Sequence, residues 1–190
     1  MKNKIFEVLD SMDILDAAFY SKLDDDLGMD SQEIVSFMDE VQNAYGTILK
    51  DGEFKRSMTV LDCLRITYRK KHLIPKKAEN FTHTLLEDAV IRAPCQSVYD
   101  GLCDVSTWQS KLPHITDIKI IYNDGEFQEF IMGVNGADGH ALKVRSIRRC
   151  SLNHITFFQP EPPPFLRYHC GGWCFIPIDD DLTYVSTYHH

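Results

Sequence analysis

The stretch ITDIKIIYNDGEFQEFIMGV, residues 115–134, decides the fold class of the second half of the chain. Two strand-like runs, residues 115–122 and 127–134, flank the sequence Asn123-Asp124-Gly125. Asn, Asp and Gly tolerate the left-handed backbone that a tight turn between antiparallel strands needs. The stretch therefore predicts a β-hairpin.

Strand-like runs continue on both sides of this hairpin. Residues 84–92 alternate imperfectly between apolar and polar side chains, and a helical stretch follows, in which Val98, Leu102 and Val105 share one face. The remaining strand-like runs are residues 142–149, 154–158, 167–177 and 182–189. One strand, a helical insert and six sequential strands predict an α+β domain with a curved antiparallel sheet.

The first 71 residues follow a different pattern. Apolar residues recur at helical spacing from Ile5 onward, with Leu15 still on the apolar face, and again over residues 34–45. Gly46 is placed to end this second helix, and Thr59 is placed to cap a third. No segment alternates with period two over a useful length. The predicted fold class is therefore two domains, an all-α helical bundle followed by the α+β domain.

Charge is concentrated in the same N-terminal part. Residues 1–54 hold 13 Asp and Glu against 4 Lys and Arg, whereas the other 136 residues hold 15 acids against 16 bases. Phosphates are repelled by such an acidic front, and no basic stripe offsets it, which argues against nucleic acid as a partner. The asymmetry also indicates two domains with different partners.

Apolar runs and cysteine usage predict the compartment. No apolar run in the sequence approaches the ~20 residues that span a bilayer, and the N-terminus lacks the continuous apolar core of a signal peptide. Six cysteines are spaced irregularly in a chain long enough to build a core, which predicts reduced thiols in a cytoplasmic protein. The Cys170-x3-Cys174 spacing differs from that of a zinc knuckle, so we expect no metal site.

The sequence LGMDS, residues 27–31, places an Asp-Ser pair at the start of the second predicted helix. The simplest interpretation is that Asp30 or Ser31 caps this helix. A phosphodiester on Ser31 is the alternative, because Gly28 frees the loop backbone and the helix dipole and free amides favour an anion. The acidic flank that follows suits docking to basic surfaces; its candidate docking residues are Glu33, Asp39 and Glu40.

Residues 23–31, with residues 33–35 and 45–46, resemble the corresponding motifs of an acyl carrier protein over about residues 1–71. The resemblance implies that a phosphopantetheinyl transferase attaches a 4′-phosphopantetheine arm to Ser31, with Asp30 as part of the motif. It also implies that polyketide or fatty acid synthase enzymes dock on the acidic helix. Gln32 stands where the family most often has Leu, which keeps open a degenerate carrier whose Ser31 only caps the helix.

Residues 69–77 form a basic run that contains Pro75, which ends helix propagation. We interpret residues 72–80 as a solvated linker. The predicted domains are therefore residues 1–71 and residues 81–190.

The motifs of the second region are Ala93-Pro94, the spacing over residues 98–108, residues 112–114, residues 146–149 and Trp173-x-Phe175-x-Pro177. Together they resemble the polyketide cyclase/aromatase branch of the START-like, helix-grip (SRPBCC) superfamily over residues 81–190. Members of that superfamily normally end in a long C-terminal helix that closes a cavity. Residues 187–190 are still strand-like, so we expect that helix to be missing and the cavity to be open. Either the sequence is C-terminally incomplete, or the missing wall comes from elsewhere.

Cyclisation of a poly-β-ketone needs a folding pocket, a donor for the enolate oxygen and a proton relay. Val144, Ser146 and Arg148 share one strand face by the two-residue period. The resemblance implies that Arg148 is the key cavity residue and that Ser146 lines the pocket, with Val144 as a pocket residue. A surface salt bridge is the alternative role for Arg148.

Two further positions complete the candidate site. Trp108 lies either at the pocket or in the helical core. Tyr168 and His169 lie on opposite strand faces, so at most one points inward, and either could be the proton relay. We take Tyr168 as the third catalytic candidate.

The resemblances together predict an acyl carrier protein fused to a polyketide cyclase/aromatase-like domain. Ser31 would hold a thioester-bound polyketide, and the second domain would guide its cyclisation or dehydration, while the carrier part itself would not catalyse. The alternative is a non-catalytic module that binds an acyl chain or lipid, or that docks the carrier.

Overall fold

Five α-helices and seven β-strands are formed by residues 3–72, 83–136 and 139–190, which the computed structural model describes. The helices are α1 (Lys4–Ser11), α2 (Ser31–Tyr45), α3 (Val60–His72), α4 (Cys95–Cys103) and α5 (Trp108–Lys111). The strands are β1 (Leu85–Ile91), β2 (Ile115–Asn123), β3 (Phe127–Asn135), β4 (Ala141–Ser151), β5 (His154–Glu161), β6 (Cys170–Asp179) and β7 (Leu182–His189).

The chain separates into two units, Met1–Lys77 and Ala78–His190. The first unit holds α1, α2 and α3, whose apolar faces are buried as the helical spacing predicts. Asp30 caps α2, and Gly46, at φ 61°, ends it. The Asp62 amide donates to Thr59 Oγ1 over 3.1 Å, which confirms the predicted cap of α3.

The predicted fold class is wrong. The fold is α+β, organised by one seven-stranded antiparallel sheet, and the described residues do not show a separate all-α carrier bundle. Helix α1 ends after eight residues because Asp13 adopts a left-handed backbone at φ 62°, so Leu15 is 71% exposed instead of extending the apolar face. Long non-helical segments separate the three helices, and Lys22 forms a β-bridge with Thr59.

The predicted linker, residues 72–80, lies outside the described residues except for His72, where α3 ends. The predicted domain bounds, residues 1–71 and 81–190, stay predictions.

All seven strands form a single sheet in the order β1-β7-β6-β5-β4-β3-β2, with antiparallel neighbours throughout. The predicted β2–β3 hairpin is confirmed. Its turn contains Gly125 at φ 92°, and the Phe127 amide donates to Asp124 Oδ1 over 2.6 Å. The longest helix in the described part of the chain, α2, has 15 residues, and no helix there has the length and apolarity to cross a membrane.

Helices α4 and α5 pack on one face of the sheet, which we call the helical face. Near α5, Trp108 packs with Phe130 of β3; near α4, Ile155 and Phe175 form the centre of a second apolar cluster. Successive side chains of a strand point to opposite faces, so away from the register shifts the residues two positions from these along a strand also lie on the helical face.

Candidate active site on the helical face of the sheet

Arg148 of β4 lies on the helical face and is only 2% exposed. Its Nη1 donates to the Leu102 carbonyl over 3.0 Å, and its Nη2 donates to the Cys103 carbonyl over 3.1 Å. Its Nε donates to Gln128 Oε1 over 3.2 Å. The last carbonyls of a helix lack hydrogen-bond donors within the helix. Arg148 supplies donors to two of these carbonyls at the end of α4. We call Arg148, Gln128, Leu102 and Cys103 the arginine clamp.

The arginine clamp holds a cation inside the fold through carbonyl and amide oxygens. Burial lowers the pKa of Arg148 from its ordinary value. The guanidinium carbon lies 4.9 Å from the ring centre of Trp108 and 5.2 Å from that of Phe130, which favours the cation through the ring faces. The alternative of a surface salt bridge is therefore wrong, and the catalytic role of Arg148 stays a prediction.

A second set of hydrogen-bonded polar side chains lies on the same face and extends from β4 to β7. Gln159 Nε2 donates to Ser146 Oγ over 3.3 Å, and Gln159 Oε1 lies 2.8 Å from His169 Nδ1. His169 Nε2 lies 3.1 Å from His189 Nδ1, and His189 Nε2 lies 3.2 Å from Thr187 Oγ1. We call these five residues the histidine chain. Ser146 and Gln159 are buried and both histidines are half-buried, so the chain runs from the interior toward solvent.

Aromatic rings surround the two histidines. The ring centre of Phe157 lies 5.1 Å from that of His169, 5.5 Å from that of His189 and 5.2 Å from that of Trp173. Gly171 lies beneath this cluster, and a Cβ there would come within 2.7 Å of the Phe157 ring and would overlap the Tyr188 carbonyl oxygen. The absence of a side chain at Gly171 therefore lets Phe157 lie against β6.

The two imidazoles are held as neutral groups. Burial lowers the pKa of His169 from 6.5, and its neighbour His189 lowers it further. Burial also lowers the pKa of His189, His190 adds to this effect, and the Glu87 carboxylate opposes it. Neutral imidazole carries one N–H and one lone pair, so each ring can both donate and accept a proton.

The structure brings only part of the predicted site together. Ser146 belongs to the histidine chain, and Val144 is buried two residues before it on the same strand face. Trp108 is 8% exposed, donates from Nε1 to the Gly101 carbonyl over 3.3 Å and packs against Arg148. Trp108 is thus part of the helical core, next to the arginine clamp.

Tyr168 does not join the histidine chain. It is 45% exposed and packs against Phe158, with ring centres 5.2 Å apart, on the face opposite His169. Of the two neighbouring relay candidates, His169 is the one that lies on the helical face beside Ser146. A catalytic role for Tyr168 stays a prediction.

Sequence reasoning missed Gln159, Thr187 and His189. The two-residue period predicts that Thr187 and His189 share a face, but it does not show which residues of β6 they meet. Gln159 meets Ser146 because β4 pairs with β5 in the register that sets Ile147 opposite Phe158. Alternation within one strand does not show which residues of the neighbouring strand it meets.

Ser31 is exposed at the first position of α2. Asp30 Oδ1 accepts from the Gln32 amide over 2.8 Å and from the Glu33 amide over 2.9 Å, and Glu33 Oε2 accepts from the Asp30 amide over 2.8 Å. Those two amides are therefore not free for a phosphodiester, contrary to our expectation. The hydroxyl itself is reachable for modification. The predicted docking residues Glu33, Asp39 and Glu40 are exposed.

Among the residues that the structure describes, no group of three or more His, Cys, Asp or Glu side chains could hold a metal ion. We find no protein-family model and no curated protein that matches the chain.

Solved structures do match. The Zhui aromatase/cyclase from Streptomyces sp. R1128 is 21% identical, with a TM-score of 0.54 over 56% of this chain and 66% of that one. The di-domain ARO/CYC StfQ from the steffimycin biosynthetic pathway is 21% identical, with a TM-score of 0.53 over 68% and 42%. The di-domain ARO/CYC BexL from the BE-7585A biosynthetic pathway is 22% identical, with a TM-score of 0.51 over 86% and 48%.

These similarities show the fold. The sheet with α4 and α5 has the helix-grip fold, as predicted for the second region. They give no support for a carrier protein fused to it. The chain spans about two thirds of the Zhui protein and less than half of each di-domain protein.

Proposed function

We propose that the helical face binds a poly-β-ketone chain and promotes its ring closure, an aromatase/cyclase-like activity. The observation that carries the proposal is the histidine chain, in which two neutral imidazoles lie beside Phe157 and Trp173. Aromatic walls suit planar, conjugated segments, and the imidazoles supply groups that exchange protons near neutral pH. The matched structures named as aromatase/cyclases support the same class of reaction.

The proposed reaction needs only proton transfers and a carbon–carbon bond. His189 removes a proton from a methylene group between two carbonyls, and the electrons of the broken C–H bond form an enolate. The enolate carbon attacks another carbonyl of the same chain, and the resulting alkoxide takes the proton back from the imidazolium. Loss of water from this aldol product then gives the unsaturated ring without any oxidant.

The other predicted residues have supporting parts in this proposal. Ser146 anchors the inner end of the histidine chain through Gln159. Arg148 holds the end of α4, and its positive charge favours anionic intermediates on the same face. The compartment, which we take to be the cytoplasm, rests on the cysteine pattern alone.

A non-catalytic module that binds an acyl chain or lipid is the second candidate. The observation that favours it is that each ring nitrogen of His169 and His189 already has a partner within the protein. A ligand would then fill the apolar surface without exchanging a proton. Substitution of a histidine separates the two candidates, because it removes proton transfer and keeps the aromatic walls.

The test supplies the full chain with a poly-β-ketoacyl thioester made by a polyketide synthase and reads ring products by mass spectrometry. We expect His189→Gln to lower the yield of the dehydrated ring by about 100-fold, the usual contribution of general acid–base catalysis. His154→Gln, a substitution at an exposed position of β5, is the matched control and should retain the product. An unchanged product profile in His189→Gln, with ligand quenching of tryptophan fluorescence retained, would leave the binding module as the function.

We also propose that Ser31 carries a 4′-phosphopantetheine arm, a proposal supported by the residues around Ser31 alone. The hydroxyl is exposed next to Asp30, at the positive end of the α2 dipole. The Ser31 oxygen would form a bond to the phosphorus of coenzyme A, and 3′,5′-ADP would leave. When attached, the arm supplies a thiol that holds an acyl chain as a thioester. Enzymes of a polyketide or fatty acid synthase would dock on the exposed acids of α2.

Intact-mass measurement tests the arm. After incubation with a phosphopantetheinyl transferase and coenzyme A, the full chain should gain the mass of one arm. Ser31→Ala should abolish the gain, whereas Ser36→Ala, also exposed on α2, should retain it. If no gain occurs, or if Ser31→Ala leaves it unchanged, Ser31 is only the first residue of a capped helix.

A further inference from the structure

The side-chain amide of Gln159 determines where the hydrogens of the histidine chain lie. An amide oxygen only accepts hydrogen bonds and an amide nitrogen only donates them. Gln159 Nε2 donates to Ser146 Oγ, so Gln159 Oε1 faces His169 Nδ1 at 2.8 Å and that nitrogen must carry the hydrogen.

The same logic continues to the outer end of the chain. A neutral imidazole with hydrogen on Nδ1 has its lone pair on Nε2, so His169 Nε2 accepts from His189 Nδ1. His189 Nε2 is then a lone pair as well, and it accepts from the Thr187 hydroxyl. A hydroxyl can rotate about its C–O bond, whereas the two rings and the amide each hold two partners.

We propose that Gln159 is a positioning residue that fixes His169 and His189 in the Nδ1–H tautomer, which makes Nε2 of His189 the basic atom of the site. The inference rests on the proposed function, because it names the atom that receives the proton in enolisation. Thr187 covers this lone pair until a ligand takes its place.

The orientation of the Gln159 amide sets the donor order of the histidine chain. Gln159 is 7% exposed and Ser146 is 3% exposed, and in the structure Nε2 faces Ser146 while Oε1 faces His169. A reversed amide would accept from the Ser146 hydroxyl and would place its NH₂ group toward His169 Nδ1. The donor order would then reverse along the whole chain, and His189 Nε2 would carry a hydrogen. A residue that never touches the substrate therefore decides whether His189 can act as a base.

Among the residues that the structure describes, Glu87 and His190 are the side chains that act electrostatically on His189 besides its burial. The carboxylate of Glu87 on β1 raises the pKa of His189, and His190 at the end of β7 lowers it. The neighbours from β5 and β6 are Phe157 and Trp173, which carry no charge. A carboxylate introduced at Gln159 would thus be a new, nearby anion on the His169 side.

Long-range ¹H–¹⁵N NMR of the ¹⁵N-histidine-labelled full chain, without any ligand, tests the tautomers. The histidine signals are assigned with His169→Gln and His189→Gln. At neutral pH both residues should show a protonated Nδ1 and an unprotonated Nε2. Gln159→Met should lose this preference, with Nε2–H appearing at both positions. Gln96→Glu, an exposed substitution on α4, should change neither.

Gln159→Glu gives a second test, the pKa of His169, which would not change if Gln159 had only a structural role. Its carboxylate still accepts from His169 Nδ1, so the tautomers should persist while the pKa of His169 rises by about one unit or more. Ring closure needs neutral imidazole, so its rate falls as the pH is lowered. In Gln159→Glu the pH at which the rate falls should be higher by the same amount. Nε2–H at His189 in the unmodified chain, or unchanged tautomers in Gln159→Met, would overturn the inference. Correct tautomers with no ring closure would instead overturn the proposed function.

Discussion

The arginine clamp and the histidine chain lie on the same face of one sheet, yet they differ in what their hydrogen bonds permit. The arginine clamp joins one permanently charged donor to carbonyl and amide oxygens, so its bonds can form in only one sense. The histidine chain joins neutral groups that both donate and accept, and its histidines are half-buried. The first arrangement fixes a helix on the sheet, and the second can move a proton.

Removal of the Arg148 guanidinium is expected to change the free energy of unfolding more than any other substitution in this comparison. Arg148→Ala removes the donor of the Leu102 carbonyl and one of the donors of the Cys103 carbonyl and of Gln128 Oε1, and we expect a loss of about 3 kcal/mol in the free energy of unfolding. Urea unfolding followed by tryptophan fluorescence measures it, because both tryptophans, Trp108 and Trp173, belong to the sheet unit.

The control for this experiment is the adjacent residue on the opposite face. Arg149 pairs with Glu126 over 2.9 Å, and its side chain is 60% exposed. We expect Arg149→Ala to cost less than about 1 kcal/mol. Equal losses for the two variants would show that the arginine clamp does not stabilise the fold.

A methyl group beneath the aromatic cluster is the next largest perturbation. Gly171→Ala places a Cβ against the Tyr188 carbonyl and the Phe157 ring, which must move, and we expect a cost of about 2 kcal/mol. Near-ultraviolet circular dichroism should report the displaced rings. Gly101 of α4, where a Cβ meets nothing within 4 Å, provides Gly101→Ala as the control. If Gly171→Ala changes neither the stability nor the near-ultraviolet spectrum, the contact of Phe157 with β6 does not depend on the missing side chain.

The smallest effect is a dependence of stability on pH. Both histidines have a pKa below 6.5 in the folded state, so the unfolded chain binds protons first as the pH falls. Their contribution to stability is therefore complete above 6.5 and is lost as the pH falls below it. Urea unfolding at about pH 7.5 and at about pH 5.5 should show a smaller difference in the double variant His169→Gln/His189→Gln than in His154→Gln. If the two variants lose the same free energy of unfolding between these pH values, the two histidines are not buried in their neutral form.

Much of the sheet could be predicted from the sequence. The Asn123-Asp124-Gly125 turn and the runs around it predict the β2–β3 hairpin because local turn chemistry and alternation decide it. The two-residue period also placed Ser146 and Arg148 on one face. The fold class was wrong in its first half, where a single left-handed residue, Asp13, ends α1 early.

The polar contacts of the site could be predicted only in part. Ser146 was identified, but its partner Gln159 depends on the register in which β4 pairs with β5. His189 and His169 are neighbours because β7 pairs with β6, and a single sequence does not encode that register in any local pattern. Arg148 was expected to face a ligand, whereas its donors are taken by the end of α4.

Exchange of methylene hydrogens tests the central claim most directly. A β-ketoacyl thioester of N-acetylcysteamine, incubated in deuterated buffer with the full chain, should lose its methylene proton signal faster than in buffer alone. We expect His189→Gln to lower the protein-dependent rate by about 100-fold, while His154→Gln retains it. Exchange by His189→Gln at the unmodified rate, or no acceleration by the unmodified chain, would contradict a proton-transferring site on this face.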